Sequence, residues 1–174
     1  MYNIEWPMFQ SELTKLFGRP SKIARNNPWL KFIDLGNYAS EIAHIRGLNT
    51  SRGYGFWGHE LMQTELPLVF DTLIQRGLIG ELTHFDGCWN VRPMSGGRAL
   101  SVHSWGLALD FNAAQNPYGG RVSFSDEMII AWASCGWESG AVWHTKDGMH
   151  FQIPWTKNWL DREVTPFTPK MEFD

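Results

Sequence analysis

The stretch that most constrains this chain is residues 101–112, Ser-Val-His-Ser-Trp-Gly-Leu-Ala-Leu-Asp-Phe-Asn. A histidine, His103, and a carboxylate, Asp110, stand on either side of Gly106. After that glycine the residues alternate. Leu107, Leu109 and Phe111 are large and apolar, whereas Ala108, Asp110 and Asn112 are small or polar. A period of two predicts a half-buried strand with Asp110 on its open face. The design recurs at residues 147–153, Asp-Gly-Met-His-Phe-Gln-Ile. There Met149, Phe151 and Ile153 are predicted to face the core, with His150 and Gln152 facing out. Two strands would then offer ligand-type side chains from the same face. His103, Asp110 and His150 form a candidate three-ligand zinc site. A fourth position left free is the catalytic rather than the structural arrangement.

The rest of the chain predicts a frame for that site. A length of 174 residues implies one domain with a real core. Residues 1–57 read as a leading helix-and-loop segment, 58–155 as the core segment and 156–174 as a tail wrapping the surface. A helix is predicted over 6–17, with Pro7 early, Gly18 at the exit and an apolar stripe of Met8, Phe9, Leu13, Leu16 and Phe17. Residues 19–29 read as loop, 30–35 as a short strand, and the glycine-rich 49–58 as a second loop. Leu66, Val69, Phe70, Leu73 and Ile74 lie on one helical stripe, so a helix is expected over 66–76, with Pro67 in its first turn. Residues 82–92 suggest a strand leading toward the site, and 93–98, with Ser95-Gly96-Gly97, a loop that could move over a substrate. Ser125 is the expected N-cap of a helix running to Gly136. Strands are expected at 137–143 and 148–153. Helices first, then a small sheet with one helix between its strands, make an α+β fold with an antiparallel sheet carrying the zinc site.

Composition excludes several partners. A net charge of −3 with no basic run argues against nucleic-acid binding. No apolar run is long enough to cross a bilayer, so no membrane insertion is expected. The N-terminal Met-Tyr-Asn-Ile-Glu-Trp-Pro lacks the basic and apolar regions of a signal peptide, so synthesis in the cytoplasm is expected. The two cysteines, Cys88 and Cys135, allow one disulfide but resemble no secreted framework. With His84 they could make a second metal site, or they could be buried free thiols. Of the ten tryptophans, Trp105 and Trp143 stand beside the candidate ligands and are candidates to line a substrate cleft. His44, His59 and His84 read as packed or exposed side chains, and His144 is near enough to His150 to touch a substrate.

Ser101, His103, Gly106, Ala108 and Asp110 spell Ser-x-His-x-x-Gly-x-Ala-x-Asp, and Asp147 and His150 follow as Asp-x-x-His. This pair of motifs resembles the zinc D,D-peptidase family, which includes D-Ala-D-Ala carboxypeptidases, vancomycin-resistance dipeptidases and phage L-alanyl-D-glutamate endopeptidases. The resemblance is strongest over residues 87–151. It implies the D-Ala-D-Ala peptidase or Hedgehog-like fold, a single catalytic peptidase domain, Zn2+ as cofactor and a peptidoglycan stem peptide as substrate. Many members carry glutamate where Asp147 stands, and the aspartate resembles the phage endolysin branch. The expected activity is therefore cleavage of L-alanyl-D-glutamate by a monomeric lytic enzyme, delivered to the cell wall after release. The alternatives are a D-Ala-D-Ala carboxypeptidase or dipeptidase, and a non-catalytic zinc-containing wall-binding module.

Hydrolysis also needs a base, a partner for the oxyanion and a cleft. Asp147 is the candidate base; it must lie in a turn, since an unbroken strand would aim it away from His150. Its other reading is turn formation alone. Glu138 is the rival base, or else a carboxylate orienting a ligand histidine. Arg92 precedes the first motif as a positioning arginine does in the family, and is the candidate oxyanion or carboxylate partner, or else a surface ion pair. Ser101 either hydrogen-bonds within the site or steadies a turn.

Overall fold

The computed structural model describes residues 10–95 and 97–153. Its architecture is mixed: short helices and small antiparallel sheets. In chain order the helices are α1 (Gln10–Phe17), α2 (Ala39–Ile42), α3 (Met62–Gln75) and α4 (Asp126–Ser134). The strands are β1 (Leu30–Asp34), β2 (Asn49–Thr50), β3 (Gly53–His59), β4 (Phe85–Gly87), β5 (Ala108–Phe111), β6 (Glu138–Ser139) and β7 (His150–Gln152). They form two sheets, β1-β3-β2 and β4-β5-β7-β6.

The first sheet corrects an expectation. Residues 49–58 are not loop but the hairpin of β2 and β3, with β3 pairing along the whole of β1. The glycines that suggest a loop serve a strand here. At Gly55, φ is 154°, and an added Cβ would lie 2.1 Å from the Ile33 carbonyl oxygen and 2.8 Å from the Phe32 ring. Only a residue without a side chain lets the strands close at that point.

Helix α3 begins four residues before its predicted start, so Pro67 lies inside it rather than in the first turn. Leu66, Val69, Phe70 and Leu73 are buried as the stripe requires, joined by Met62. The early start carries no side-chain cap, so no capping signal could mark it. In α1 the stripe is only partly inward: Leu13 is buried, while Leu16 is 51% exposed. The predicted start of that helix, with Pro7, Met8 and Phe9, lies outside the described residues, as does the tail from 156. Helix α4 matches its predicted cap, the Ser125 hydroxyl accepting from the Met128 N–H at 3.1 Å.

The second sheet carries the site, and its strands are shorter than predicted. The strand expected over 82–92 is reduced to β4, after which the chain runs as a cleft-side loop. That expected over 137–143 is β6 alone, because Ser139 caps a 3-10 turn at Gly140–Val142 by accepting from the Ala141 N–H. Cross-strand register sets Asp110 opposite His150, with Gly87 beside Asp110, and Gln152 between Ala108 and Glu138. On the apolar side Leu109, Phe111 and Phe151 are fully buried. The Trp132 ring from α4 stacks on Phe151 at 4.4 Å and meets Trp137 edge-on at 5.1 Å. Each such side chain contributes roughly 1.5–3 kcal/mol on burial, so α4 pins β7 with His150 turned to the other side.

Candidate metal centre

Two of the three proposed ligands come from strands, Asp110 from β5 and His150 from β7. The third does not. His103 sits on a 3-10 turn, Val102–Trp105, that ends at Gly106 in the left-handed conformation, φ 66°. Ser101 caps the turn, its hydroxyl accepting from the His103 N–H at 3.3 Å. Gly106 has no room for a side chain, since an added Cβ would lie 2.7 Å from the His59 backbone nitrogen. That glycine turns the chain from His103 into β5 at a point of contact with β3.

The three side chains converge. His103 Nε2 is 3.1 Å from Asp110 Oδ1, His150 Nδ1 is 3.2 Å from the same oxygen, and the two nitrogens are 3.1 Å apart. Donor atoms about 2.0–2.1 Å from a tetrahedral zinc lie roughly 3.3 Å from one another, so this triangle fits such an ion. Among the described residues it is the one group of His, Cys, Asp and Glu side chains assembled this way. The donor chemistry also fits, since two imidazoles and a carboxylate suit zinc.

The face that carries these residues is not open, contrary to the alternation argument. His150 and Gln152 are 5% and 2% exposed, and His103 is 2% exposed. Met149, expected to face the core, is only half-buried. Asn112 leaves the strand altogether at φ 54° and uses its amide to tie residues 81–84 to the end of β5. Solvent reaches the centre from one side, through a cleft of about 200 Å³ lined by His103, Asp110, Asp86, Trp89, Asn90 and Arg92 among others. A fourth coordination position would open there.

Electrostatics follow from burial and grouping. Burial alone would raise the Asp110 carboxyl, but the hydrogen bonds and charges of His103 and His150 overcome it and hold it well below the usual carboxylate range. Burial alone would lower His150, but the Asp110 carboxylate, Gln152 and the Asp147 charge raise it. The cluster therefore favours a positive charge at its centre. Asp147 lies in the predicted turn, its N–H bonded to the Gly140 carbonyl and its carbonyl accepting from the His150 N–H. Burial raises its carboxyl, which also feels His150, Asp110, His103 and Arg92. Its Oδ1 is buried without a hydrogen-bond partner among the described residues.

The other candidates separate by position. Arg92 is exposed at the cleft, and its backbone is tied to the His103 turn through Ser104 Oγ and the Ser101 N–H. Trp143 is half-buried, its ring 5.3 Å from that of His150. Trp105 is not a cleft residue: it is fully buried, and its indole N–H bonds to the Gly18 carbonyl. Its size places it in the core, where its one polar atom finds a partner. His144 is exposed on the loop after Trp143. Glu138 lies one layer behind the ligands, accepting from Trp143 Nε1 at 2.7 Å and from Gln152 Nε2 at 3.2 Å. Burial raises its carboxyl against the pull of those two hydrogen bonds.

Some supporting groups escape the motif reading. The Cys88 carbonyl accepts from His103 Nδ1 at 2.6 Å, and the Gln152 amide oxygen lies 2.8 Å from His150 Nε2. The first is a backbone atom and leaves no mark in a sequence. The second had a signal, since Gln152 shares the face of His150 by alternation. No second metal site forms from His84, Cys88 and Cys135. His84 pairs with Asp86, the Cys135 thiol faces Leu68 and Thr72 on α3, and both cysteines are free. Burial pushes the Cys88 thiol well up, so it stays protonated and donates to the Gly106 carbonyl.

A family model described as D-alanyl-D-alanine carboxypeptidase matches residues 95–153, the stretch that contains His103, Asp110, Asp147 and His150. The match covers that part of the chain only and supports, at a coarse level, a peptidase. No curated protein and no solved structure matches the chain.

Proposed function

We propose that the chain is a zinc-dependent peptidase of peptidoglycan stem peptides, cutting the L-alanyl-D-glutamate bond as a phage endolysin-type enzyme on the D-Ala-D-Ala peptidase scaffold. The observation that carries this reading is the triangle of His103 Nε2, His150 Nδ1 and Asp110 Oδ1 beside the unpartnered Asp147 carboxylate. Zinc held by those three would supply Lewis acidity and lower the pKa of a water to about 7.

The remaining tasks fall to the chain. Burial lifts the Asp147 carboxyl toward the range in which it can take a proton from water and return it to the leaving amine. Arg92, at the cleft wall, offers a permanent positive charge to a substrate carboxylate or to the oxygen that gains charge in the transition state. Trp143, whose ring lies 5.3 Å from that of His150, and the exposed His144 next to it are the candidates to contact the substrate. Ser101 acts through the His103 turn.

The aspartate at 147, where many relatives of the resemblance carry glutamate, supports the endopeptidase assignment. A second reading, D-Ala-D-Ala carboxypeptidase, is favoured by the description of the matching family model. Mass spectrometry of muropeptides after digestion separates the two. Loss of the whole stem beyond L-alanine is the expected result, and loss of terminal D-alanine alone would establish the second reading. Absence of any cleavage by the zinc-loaded protein would overturn both.

A further inference from the structure

An imidazole can bind a cation through either nitrogen, and the two proposed histidine ligands use different ones. His103 presents Nε2 and His150 presents Nδ1. For His103 the choice is made directly. A backbone carbonyl only accepts, so the Cys88 oxygen holds the proton on Nδ1 and leaves the Nε2 lone pair free. Behind His150 stands an amide, which could turn either end to the ring.

We propose that Glu138 and Gln152 are positioning residues that set the tautomer of His150 by a relay of hydrogen-bond polarity. The inference rests on reading the His103, Asp110 and His150 cluster as a metal centre. The relay starts at Trp143, whose indole can only donate, and it donates to Glu138 Oε1 at 2.7 Å. Glu138 Oε2, a carboxylate oxygen, can only accept, so it draws the NH2 end of Gln152 to itself at 3.2 Å. That turns the amide oxygen toward His150 Nε2 at 2.8 Å, which must then carry the proton. The Nδ1 lone pair is left facing Asp110 and His103. Cross-strand register holds Glu138 opposite Gln152, and Gln152 is 2% exposed, so water has little access to invert the amide. An acid two hydrogen bonds from the ring thus decides which nitrogen is available to the ion.

The test uses a polarity swap. In Glu138→Gln the amide at 152 loses its one-way partner, and in Gln152→Leu the ring loses its acceptor. Each should weaken zinc binding about 10–100-fold, the usual cost of losing support behind a ligand. The double variant Glu138→Gln/Gln152→Glu rebuilds the relay with the charge moved. The new carboxylate accepts from His150 Nε2, the new amide gives its NH2 to that carboxylate, and its oxygen accepts from Trp143. It should recover wild-type zinc affinity, measured by chelator competition. A second readout is independent of metal: nitrogen-15 NMR of metal-free protein, recorded above the pH at which the ring's nitrogen shifts stop changing. It should show His150 protonated on Nε2 in the wild type and the double variant, shifted toward Nδ1 in Glu138→Gln, where Trp143 fixes the new amide's oxygen and its NH2 turns the Gln152 oxygen away from the ring, and as mixed tautomers in Gln152→Leu. Unchanged affinity and tautomer in both single variants would overturn the relay, as would a folded double variant no better than the singles. If the wild type binds no zinc, the metal-centre reading fails, and the tautomer readout still decides the relay.

Discussion

The two sheets of this protein handle polar residues in opposite ways. In β1-β3-β2 the polar and amphipathic positions, apart from the buried His59 at the end of β3, go to water: Lys31 and Asp34 are exposed, and Trp57 is 44% exposed, while Leu30, Ile33 and Phe56 point inward. In β4-β5-β7-β6 the polar face is covered. His150 and Gln152 are buried in a hydrogen-bonded group with Glu138, Asp110 and His103. Burying such groups costs free energy unless each is paired. Here the pairing is met by the hydrogen bonds that link Glu138, Gln152, His150, Asp110 and His103. Asp147 Oδ1 is a buried carboxylate oxygen without a hydrogen-bond partner among the described residues.

That contrast can be broken most severely at the ligands. His103→Ala or His150→Ala should lose zinc by more than the 10–100-fold expected for supporting residues, with cleavage abolished. Metal analysis of the purified variants reads this directly. Full occupancy in either one would remove that residue from the centre. Next, Asp147→Asn should keep zinc and lower kcat by about 10²–10⁴-fold. Unaltered turnover in steady-state assays of muropeptide cleavage would return the proton transfer to Glu138.

Two glycines, one where the His103 turn meets β3 and one inside the first sheet, give effects of several kcal/mol. At Gly106→Ala a Cβ would meet His59 N at 2.7 Å with φ at 66°, and at Gly55→Ala it would meet the Ile33 oxygen at 2.1 Å. Each should cost about 2–5 kcal/mol, combining strain with overpacking. The comparison is sharpened by zinc affinity measured below the melting temperature. Gly106→Ala should weaken it, because the His103 turn moves, while Gly55→Ala should leave it intact. Equal losses in both would mean the sheets are not separable in this way.

His59 supplies the pH prediction. It lies at the end of β3, stacked on Trp29 at 5.3 Å, and burial lowers its pKa from 6.5 to about 4. The unfolded chain therefore binds more protons at this residue between those values. Stability is fully present above pH 6.5 and declines as pH falls toward about 4, by up to roughly 3 kcal/mol. Denaturant melts across that range should show the decline, and His59→Asn should flatten it. An unchanged slope in the variant would assign the acid limb to other groups.

That His103, Asp110 and His150 would come together was legible in the sequence because side-chain type and spacing both point to it. Asp110 and His150 are polar side chains in alternating contexts, and β5 and β7 have the period of two that sets them on one face, while His103 is marked by its fixed spacing before Gly106. Helix α4 was legible for a similar reason, since a cap and an apolar run agree there. The hairpin β2–β3 was not. Its glycines carry the local signal of a loop, and only pairing with β1 makes that backbone a strand. Trp105 shows the same limit, because nothing local separates a tryptophan in a cleft from one in the core.

By itself, the order of residues determined which side chains could hold an ion and that Asp110 and His150 would stand on one face of their strands. The tertiary structure decided that this face is closed and that His103 comes from a turn rather than a strand. It also decided which nitrogen each histidine presents. Those outcomes depend on groups far apart in the chain, the Cys88 carbonyl, Glu138 and Gln152, whose hydrogen-bond polarity acts only once they are brought within about 3 Å of their partners.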